Sequence, residues 1–475
     1  MPYFILCVLL TVAGYASAEY STLSQQEKIY LSDASKKSIN GWLWVKIQGA
    51  PYARGFQYGY LTAQEYQEAV RVYAAMTYQT TGMTLDFFEQ QGAKMHQALI
   101  PPELIEELQG LADGYTKAGV PTTLATLIGW NAYAEISGYW WPTVASQYGA
   151  APPNMASAKG RCSAFIATGN ATQDGKIAIG HETFTPFWMG QHMNVILDIT
   201  PESGARMVMQ TTPGWIASMT DFWVTGNGLV IVETTLAGFV GGYNTTRVPE
   251  YVRARMASQY GTSIDNWVER MNNENNGGYA NSWLIGDINQ NEIARFEQGL
   301  RYTNLEKKTD GAFFGRNVAF DPRIRHLECI DVGYDDSRQQ TGARRTRWPQ
   351  LLSQYEGQID ANISKVMLAD TYDVWLRRNQ ASSRTICAHY DIDPQSSVSD
   401  PNAVWNVPYW PAGSVDAKVT TANLARNMSL WGIFGRADGV PFNASAFLVE
   451  NPQWNWQQGY LMSRPNQPWT LFLSN

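Results

Sequence analysis

Apolar positions recur along this chain with two different periods, and the change falls near residue 162. Before it the spacing is helical. Leu23, Ile29, Tyr30 and Ile39, scattered among polar residues, predict a helix over 21–40. Residues 60–80 and 84–99 repeat the helical spacing, after a short strand over 42–47 and a turn that leads out of Gly49. Pro101 and Pro102 open another helix, whose first turn holds Glu103, Glu106 and Glu107, the charge a helix N-terminus favours. A last helix is expected over 122–137. Residues 142–160 then lose periodicity and fill with Pro and small residues, which reads as a linker or processing loop.

From residue 162 the period shortens to that of strands. Candidates are 163–168, 176–180, 193–199, 205–211, 222–225 and 228–235, separated by glycine turns such as Gly226-Asn227-Gly228. Helices follow over 249–259 and 262–273, then strands over 281–287 and 291–297. Residues 345–381 read as mostly helical. The last 100 residues are rich in Pro and Trp and read as irregular. Strands, then helices, then strands predict an α+β fold with antiparallel sheets.

Composition narrows the function. Of 475 residues, 16% are charged and 13% aromatic, and the net charge is -7 with no basic run, which argues against nucleic acid. Residues 1–18 have a short apolar core and a small-x-small end at Ala16-Ser17-Ala18, the pattern of a secretory signal cleaved before Glu19. No later stretch is long enough to predict a transmembrane segment. Five sequons, at Asn170, Asn244, Asn362, Asn427 and Asn443, support a secretory-pathway glycoprotein, secreted or lysosomal.

Removal of the signal takes Cys7 and leaves Cys162, Cys329 and Cys387. In an oxidising compartment two would tend to pair. A disulfide between Cys329 and Cys387 leaves Cys162 as the odd thiol; a bridge from Cys162 to either partner would remove it as a nucleophile. Cys162 stands in Gly160-Arg161-Cys162-Ser163-Ala164-Phe165-Ile166, a cysteine opening an apolar run directly after the loose segment. Were the chain cut before it, the freed α-amino group, which titrates near neutrality, could act as base for its own thiol. The thiolate attacks carbonyls readily. None of His96, His181, His192, His326 and His389 is spaced with cysteines or acids like a zinc site, so no metal and no cofactor are expected. There is no G-x-S-x-G elbow, and the glycines over 238–242 lack a phosphate-loop signature.

Several stretches together resemble the phospholipase B-like family of N-terminal nucleophile hydrolases, and more distantly its acyltransferase and bile-salt-hydrolase-like relatives. They are Cys162-Ser163-Ala164 with His181 after it, Pro213-Gly214-Trp215, Glu233-Thr234-Thr235, Gly278-Tyr279-Ala280-Asn281-Ser282-Trp283 and Val415-Asp416-Ala417-Lys418. The resemblance implies an αββα sandwich of two antiparallel sheets between helices. It implies autocatalytic cleavage between Arg161 and Cys162, with residues 19–161 staying bound to a catalytic core of 162–475. It implies Cys162 as nucleophile, the Asn281 amide and the Thr235 backbone N–H as oxyanion donors, and His181 as an orienting or catalytic group. Arg316 matches an arginine that supports the nucleophile in the bile-salt-hydrolase branch, with Asn317 as the alternative. Asp416 and Lys418 read as a structural ion pair.

The expected substrate is a lipid-like acyl ester. N-acyl amides are the nearest enzymatic rival, since the same groups serve either bond. A processed, non-catalytic lipid-binding glycoprotein is the rival from another class.

Overall fold

The computed structural model describes residues 23–150, 162–218, 222–394 and 408–473. The signal segment, Arg161 and the processing loop from residue 151 lie outside them. Helix α1 (Gln25–Ser32) is followed by strands β1 (Ser35–Ile39) and β2 (Trp42–Gly49). The helix expected over 21–40 is therefore split. Asn40 and Gly41 both have positive φ (48° and 83°), and Ile39 pairs with Trp42 across them. That is the tight Asn-Gly hairpin turn, which forces strands on both sides.

Four helices then form a layer: α2 (Pro51–Thr81), α3 (Leu85–His96), α4 (Pro102–Lys117) and α5 (Leu124–Glu135). Helices α2 and α4 pack backbone to backbone. A methyl group on Gly59 would collide with the Leu111 carbonyl oxygen, and one on Gly114 with the Phe56 carbonyl oxygen. Where they cross, Glu107 accepts from Arg54 Nε (2.7 Å) and from Arg255 Nη1 and Nη2 (2.9 and 2.8 Å), with both arginines fully buried. Burial pushes the Glu107 carboxyl up, but the guanidiniums of Arg255 and Arg54 outweigh it and hold it below the usual range.

The strands are β3 (Cys162–Thr168), β4 (Ala178–Pro186), β5 (Val195–Pro201), β6 (Met207–Thr211), β7 (Phe222–Thr225), β8 (Leu229–Thr235), β9 (Asn281–Asp287), β10 (Glu292–Gln298), β11 (Thr303–Lys308) and β12 (Gly311–Gly315). One sheet runs β1-β2-β5-β6-β7-β8-β9-β10-β11. The other runs β12, β3, β4 and then the C-terminal strands Ala412–Thr421, Leu430–Phe434 and Thr470–Phe472. All neighbours are antiparallel except β2 with β5. The segment before residue 162 thus supplies two strands of the larger sheet as well as its helical cover.

The core is layered. Ala164, Ile166 and Ile179 of the smaller sheet pack with Val208, Val230, Val232 and Leu284 of the larger one. The larger sheet's other face meets the helical layer through Ile231, Ile285, Trp130 and Tyr73. The smaller sheet's outer face meets the helices Gln340–Gln354 and Ala361–Leu368 through Phe165, Val419, Trp348 and Leu368. This is the expected αββα order.

Two expectations need correction. The C-terminal region is not irregular: Ala412–Thr421 is a buried strand in the middle of the smaller sheet. Its pattern reads as polar because Ser414, Asp416 and Lys418 are buried against other polar groups. The disulfide between Cys329 and Cys387 does not form; both are free thiols. Cys387 lies in the core under the smaller sheet, whereas Cys329 packs beside Leu236, Phe239 and Ile324 in a separate cluster.

Candidate active site

Cys162 is the first residue of β3 and is buried. Strand periodicity puts it on the same face as Ala164 and Ile166, between the sheets. On β4, opposite Ala164, stands His181; Thr183 is opposite Cys162. The strand Ala412–Thr421 adds Lys418 opposite His181 and Asp416 opposite Thr183. Lys418 Nζ donates to Asp416 Oδ1 (2.6 Å) and Thr183 Oγ1 (2.9 Å). Gln210 of β6 donates to the other Asp416 oxygen at 2.7 Å and so ties the two sheets together. The expected ion pair is present.

The thiol faces the larger sheet. Cys162 Sγ lies 3.7 Å from Glu233 Oε1 on β8. That oxygen also accepts from the Tyr279 hydroxyl (3.3 Å) and the Thr235 hydroxyl (3.4 Å). The Cys162 sulfur, a His181 ring nitrogen and a Glu233 oxygen all lie within 4.8 Å of one another. Burial, and then the nearby charge of Lys418, push the His181 imidazole well below its ordinary range, so the ring is neutral.

The backbone of Cys162 is held from the other side. Its N–H donates to Asn317 Oδ1 (3.1 Å), and its carbonyl accepts from Arg344 Nη1 (2.5 Å). Arg344 also donates to Ser163 Oγ and Asn317 Oδ1, both at 3.1 Å. The Asn317 amide donates in turn to the Thr235 carbonyl at 2.9 Å. Asn317 follows β12 with φ 68°, a conformation that Asn tolerates better than most residues.

Asn281 opens β9, directly opposite Thr235 on β8. It is fully buried, and neither its side-chain oxygen nor its nitrogen has a hydrogen-bond partner among the described residues. A buried amide with both ends idle is rare unless something else uses it. Arg316 is placed differently from the expectation. Its guanidinium stacks over Phe320 (4.4 Å) and Tyr334 (4.8 Å) and makes no hydrogen bond among the described residues. Burial pulls it down to about 9. Side-chain hydrogen bonds to the Cys162 backbone include those of Asn317, the alternative considered, and Arg344.

Cys162, His181, Thr235 and Asn281 are thus brought to one place; the Arg316 guanidinium makes no hydrogen bond to Cys162. Sequence reasoning missed three roles. Glu233 and Tyr279 stood inside the quoted stretches without an assignment, although a carboxylate ending the apolar run Leu229-Val230-Ile231-Val232 was a signal. Arg344 carried no signal, because it reaches the site from a helix 182 residues away.

A family model described as Phospholipase B matches residues 39–300. A Phospholipase B of Crotalus adamanteus is 24% identical over 273 residues, covering 52% of this chain and 46% of that one. Phospholipase B-like 1 of Homo sapiens is 23% identical over 263 residues, covering 49% and 43%. The chain spans under half the length of these relatives. Among solved structures, a variant of conjugated bile acid hydrolase from Clostridium perfringens is similar at 12% identity and a TM-score of 0.31, over 57% of this chain and 88% of that one. Penicillin V acylase from Agrobacterium tumefaciens is similar at 10% identity and 0.31, over 57% and 82%.

Proposed function

Because the chain belongs to the phospholipase B family, we propose that it is a self-processing thiol hydrolase that cleaves acyl ester bonds of lipid-like substrates. The observation that carries this reading is the setting of Cys162. Its sulfur is buried against His181 and Glu233, its backbone N–H is caught by Asn317, and an idle amide sits nearby on Asn281.

In this reading water adds across the peptide bond between Arg161 and Cys162, leaving a carboxylate on Arg161, and the amide nitrogen becomes an α-amino group beside Asn317. That amine takes the Cys162 thiol proton. The sulfur attacks the ester carbonyl, and the oxyanion is stabilised by the Asn281 amide and the Thr235 N–H. As the tetrahedral intermediate collapses, the carbon–oxygen bond breaks and the alcohol leaves with the proton from the amine. Water then attacks the thioester, releasing the fatty acid and restoring the thiol. Arg344 and Asn317 keep the first residue of β3 in place. Neutral His181 stands ready to orient or accept a hydrogen bond at the sulfur.

The substrate and the secretory route belong to the same proposal. Asn170, Asn362, Asn427 and Asn443 are exposed and Asn244 is half-buried, which supports glycosylation at four sites at least. No helix among the described residues is long and apolar enough to cross a membrane. The test is turnover by the cleaved protein on phosphatidylcholine, lysophospholipid and N-acyl amide substrates, with mass analysis of the Cys162 peptide after acid quench. Fatty-acid release from esters with an acyl adduct on Cys162 is expected. Release from amides alone would transfer the reading to an amidase. A fully cleaved protein without turnover on any of them would overturn it in favour of a lipid-binding glycoprotein.

A further inference from the structure

The smaller sheet has a second polar cluster, on its other face. On β4, His181 points inward to Cys162, and the next residue, Glu182, points outward. There it meets the loop that carries Cys387 and His389 and the turn that carries Asp438. Cys387 Sγ lies 3.7 Å from His389 Nε2, which lies 2.8 Å from Asp438 Oδ2. The three ligand atoms are within 4.8 Å of one another. Backbone bonds fix the frame. The Cys387 N–H donates to the Asp370 carbonyl (3.0 Å), and His389 bridges to Gly413 of the neighbouring strand. Asp438 Oδ1 is occupied by the Val440 N–H, leaving Oδ2 to face the histidine.

We infer that Cys387, His389 and Asp438, with Glu182 as the adjoining carboxylate, form a binding site for one zinc-class divalent cation. The donor set is the first argument, because thiolate, imidazole and carboxylate are the ligands zinc takes. The geometry is the second. Tetrahedral zinc with bonds of about 2.3 Å to sulfur and about 2.0 Å to nitrogen sets those two ligands about 3.6 Å apart. The separation here is 3.7 Å. The His389–Asp438 pair, at 2.8 Å, would open by about half an ångström.

An independent observation points the same way. Glu182 is fully buried; one carboxyl oxygen is taken by Ser414, and the other, Oε2, has no partner among the described residues. The Glu182 carboxyl lies beside the Cys387 side chain, with Asp438 close by. Entry is open at one corner, where the Asp438 side chain is 13% exposed. A bound cation would fasten the 387–389 loop to the back of the strand that presents His181. The spacing of these residues in the chain hides the site, since Asp438 and Glu182 come from opposite ends of the core. The inference does not depend on the proposed reaction.

The test is metal content of the full chain, secreted and purified without chelator, loaded with excess zinc and desalted. The Cys162→Ala protein is the reference, so that no metal can use the thiol cluster of Cys162, His181 and Glu233. About one zinc per chain is expected, and cobalt in its place should give a thiolate charge-transfer band in the near ultraviolet. Asp438→Asn, on the exposed flank, should weaken cobalt binding about tenfold or more. Cys387→Ser should abolish the band, and chelator should lower the melting temperature of the reference protein only. If Cys387→Ser is not secreted, Asp438→Asn carries the test alone. Folded reference protein that retains less than a tenth of an equivalent after loading would overturn the site. So would a cobalt band indifferent to Asp438→Asn.

Discussion

Two buried polar clusters flank the larger sheet, and they are built in opposite ways. In the helical layer, Glu107 meets Arg54 and Arg255, and Arg54 also reaches Glu103. Charges are matched there, and hydrogen bonds are closed. Between the sheets, Cys162, His181, Glu233 and Asn281 are as deeply buried, yet the Asn281 amide is idle. The first arrangement makes structure: it joins α2, α4 and the helix Glu250–Tyr260 into one block. The second leaves the buried Asn281 amide idle beside the Cys162 thiol. Burial alone does not distinguish these two clusters; the idle Asn281 amide does.

Breaking each cluster should have opposite consequences. Glu107→Gln leaves two guanidiniums without their counter-charge in an apolar layer, and should cost about 3–5 kcal/mol of stability in a urea unfolding series, or prevent secretion. Asn281→Ala should leave stability within about 1 kcal/mol and lower kcat by roughly 10²–10³ on whichever acyl substrate is turned over. An Asn281 variant that unfolds the protein would erase the contrast.

A third change sharpens it. Glu89 in the helical layer is nearly buried and has an oxygen with no partner among the described residues. Burial pushes its carboxyl up to about 7, with the charge of Asp86 adding to the shift. Its folded value lies above its unfolded one, so native protein holds a proton that unfolded protein has lost. Stability should therefore fall as pH rises from about 4.5 to 7, by about 3 kcal/mol in all. Glu89→Gln should raise the melting temperature at pH 8 and leave it unchanged at pH 4. The smallest effect concerns packing. Gly59→Ala must push α2 away from α4 and should cost about 1–3 kcal/mol in the same unfolding series, with kcat unchanged.

The same division explains what could be read in the sequence. The long helices were legible because one face of each is apolar at a regular period, and β8 and β9 because each is a short continuous apolar run buried on both faces. The αββα order came through short quoted stretches, and the fold brings their Cys162, His181, Thr235 and Asn281 near one another. The strand Ala412–Thr421 escaped because its buried positions are polar: Asp416 and Lys418 satisfy each other inside the core. The β1–β2 hairpin escaped although Asn40-Gly41 announced it. Arg344 and the Cys387–His389–Asp438 cluster could not be seen, since each is assembled from segments that only the fold brings together. Arg316 drew attention through its match to an arginine of the bile-salt-hydrolase branch, but the residue that hydrogen-bonds the Cys162 N–H is its neighbour, Asn317.

The central claim is that Cys162 becomes a chain terminus. N-terminal sequencing and intact mass of the protein from a secretory host, beside the Cys162→Ala control, test it most directly. The account predicts two associated chains in the wild type, one beginning at Cys162, and a single uncut chain in the control. A wild-type protein that hydrolyses acyl substrates with the bond before Cys162 intact would contradict it. So would a cut at that bond that the control shares.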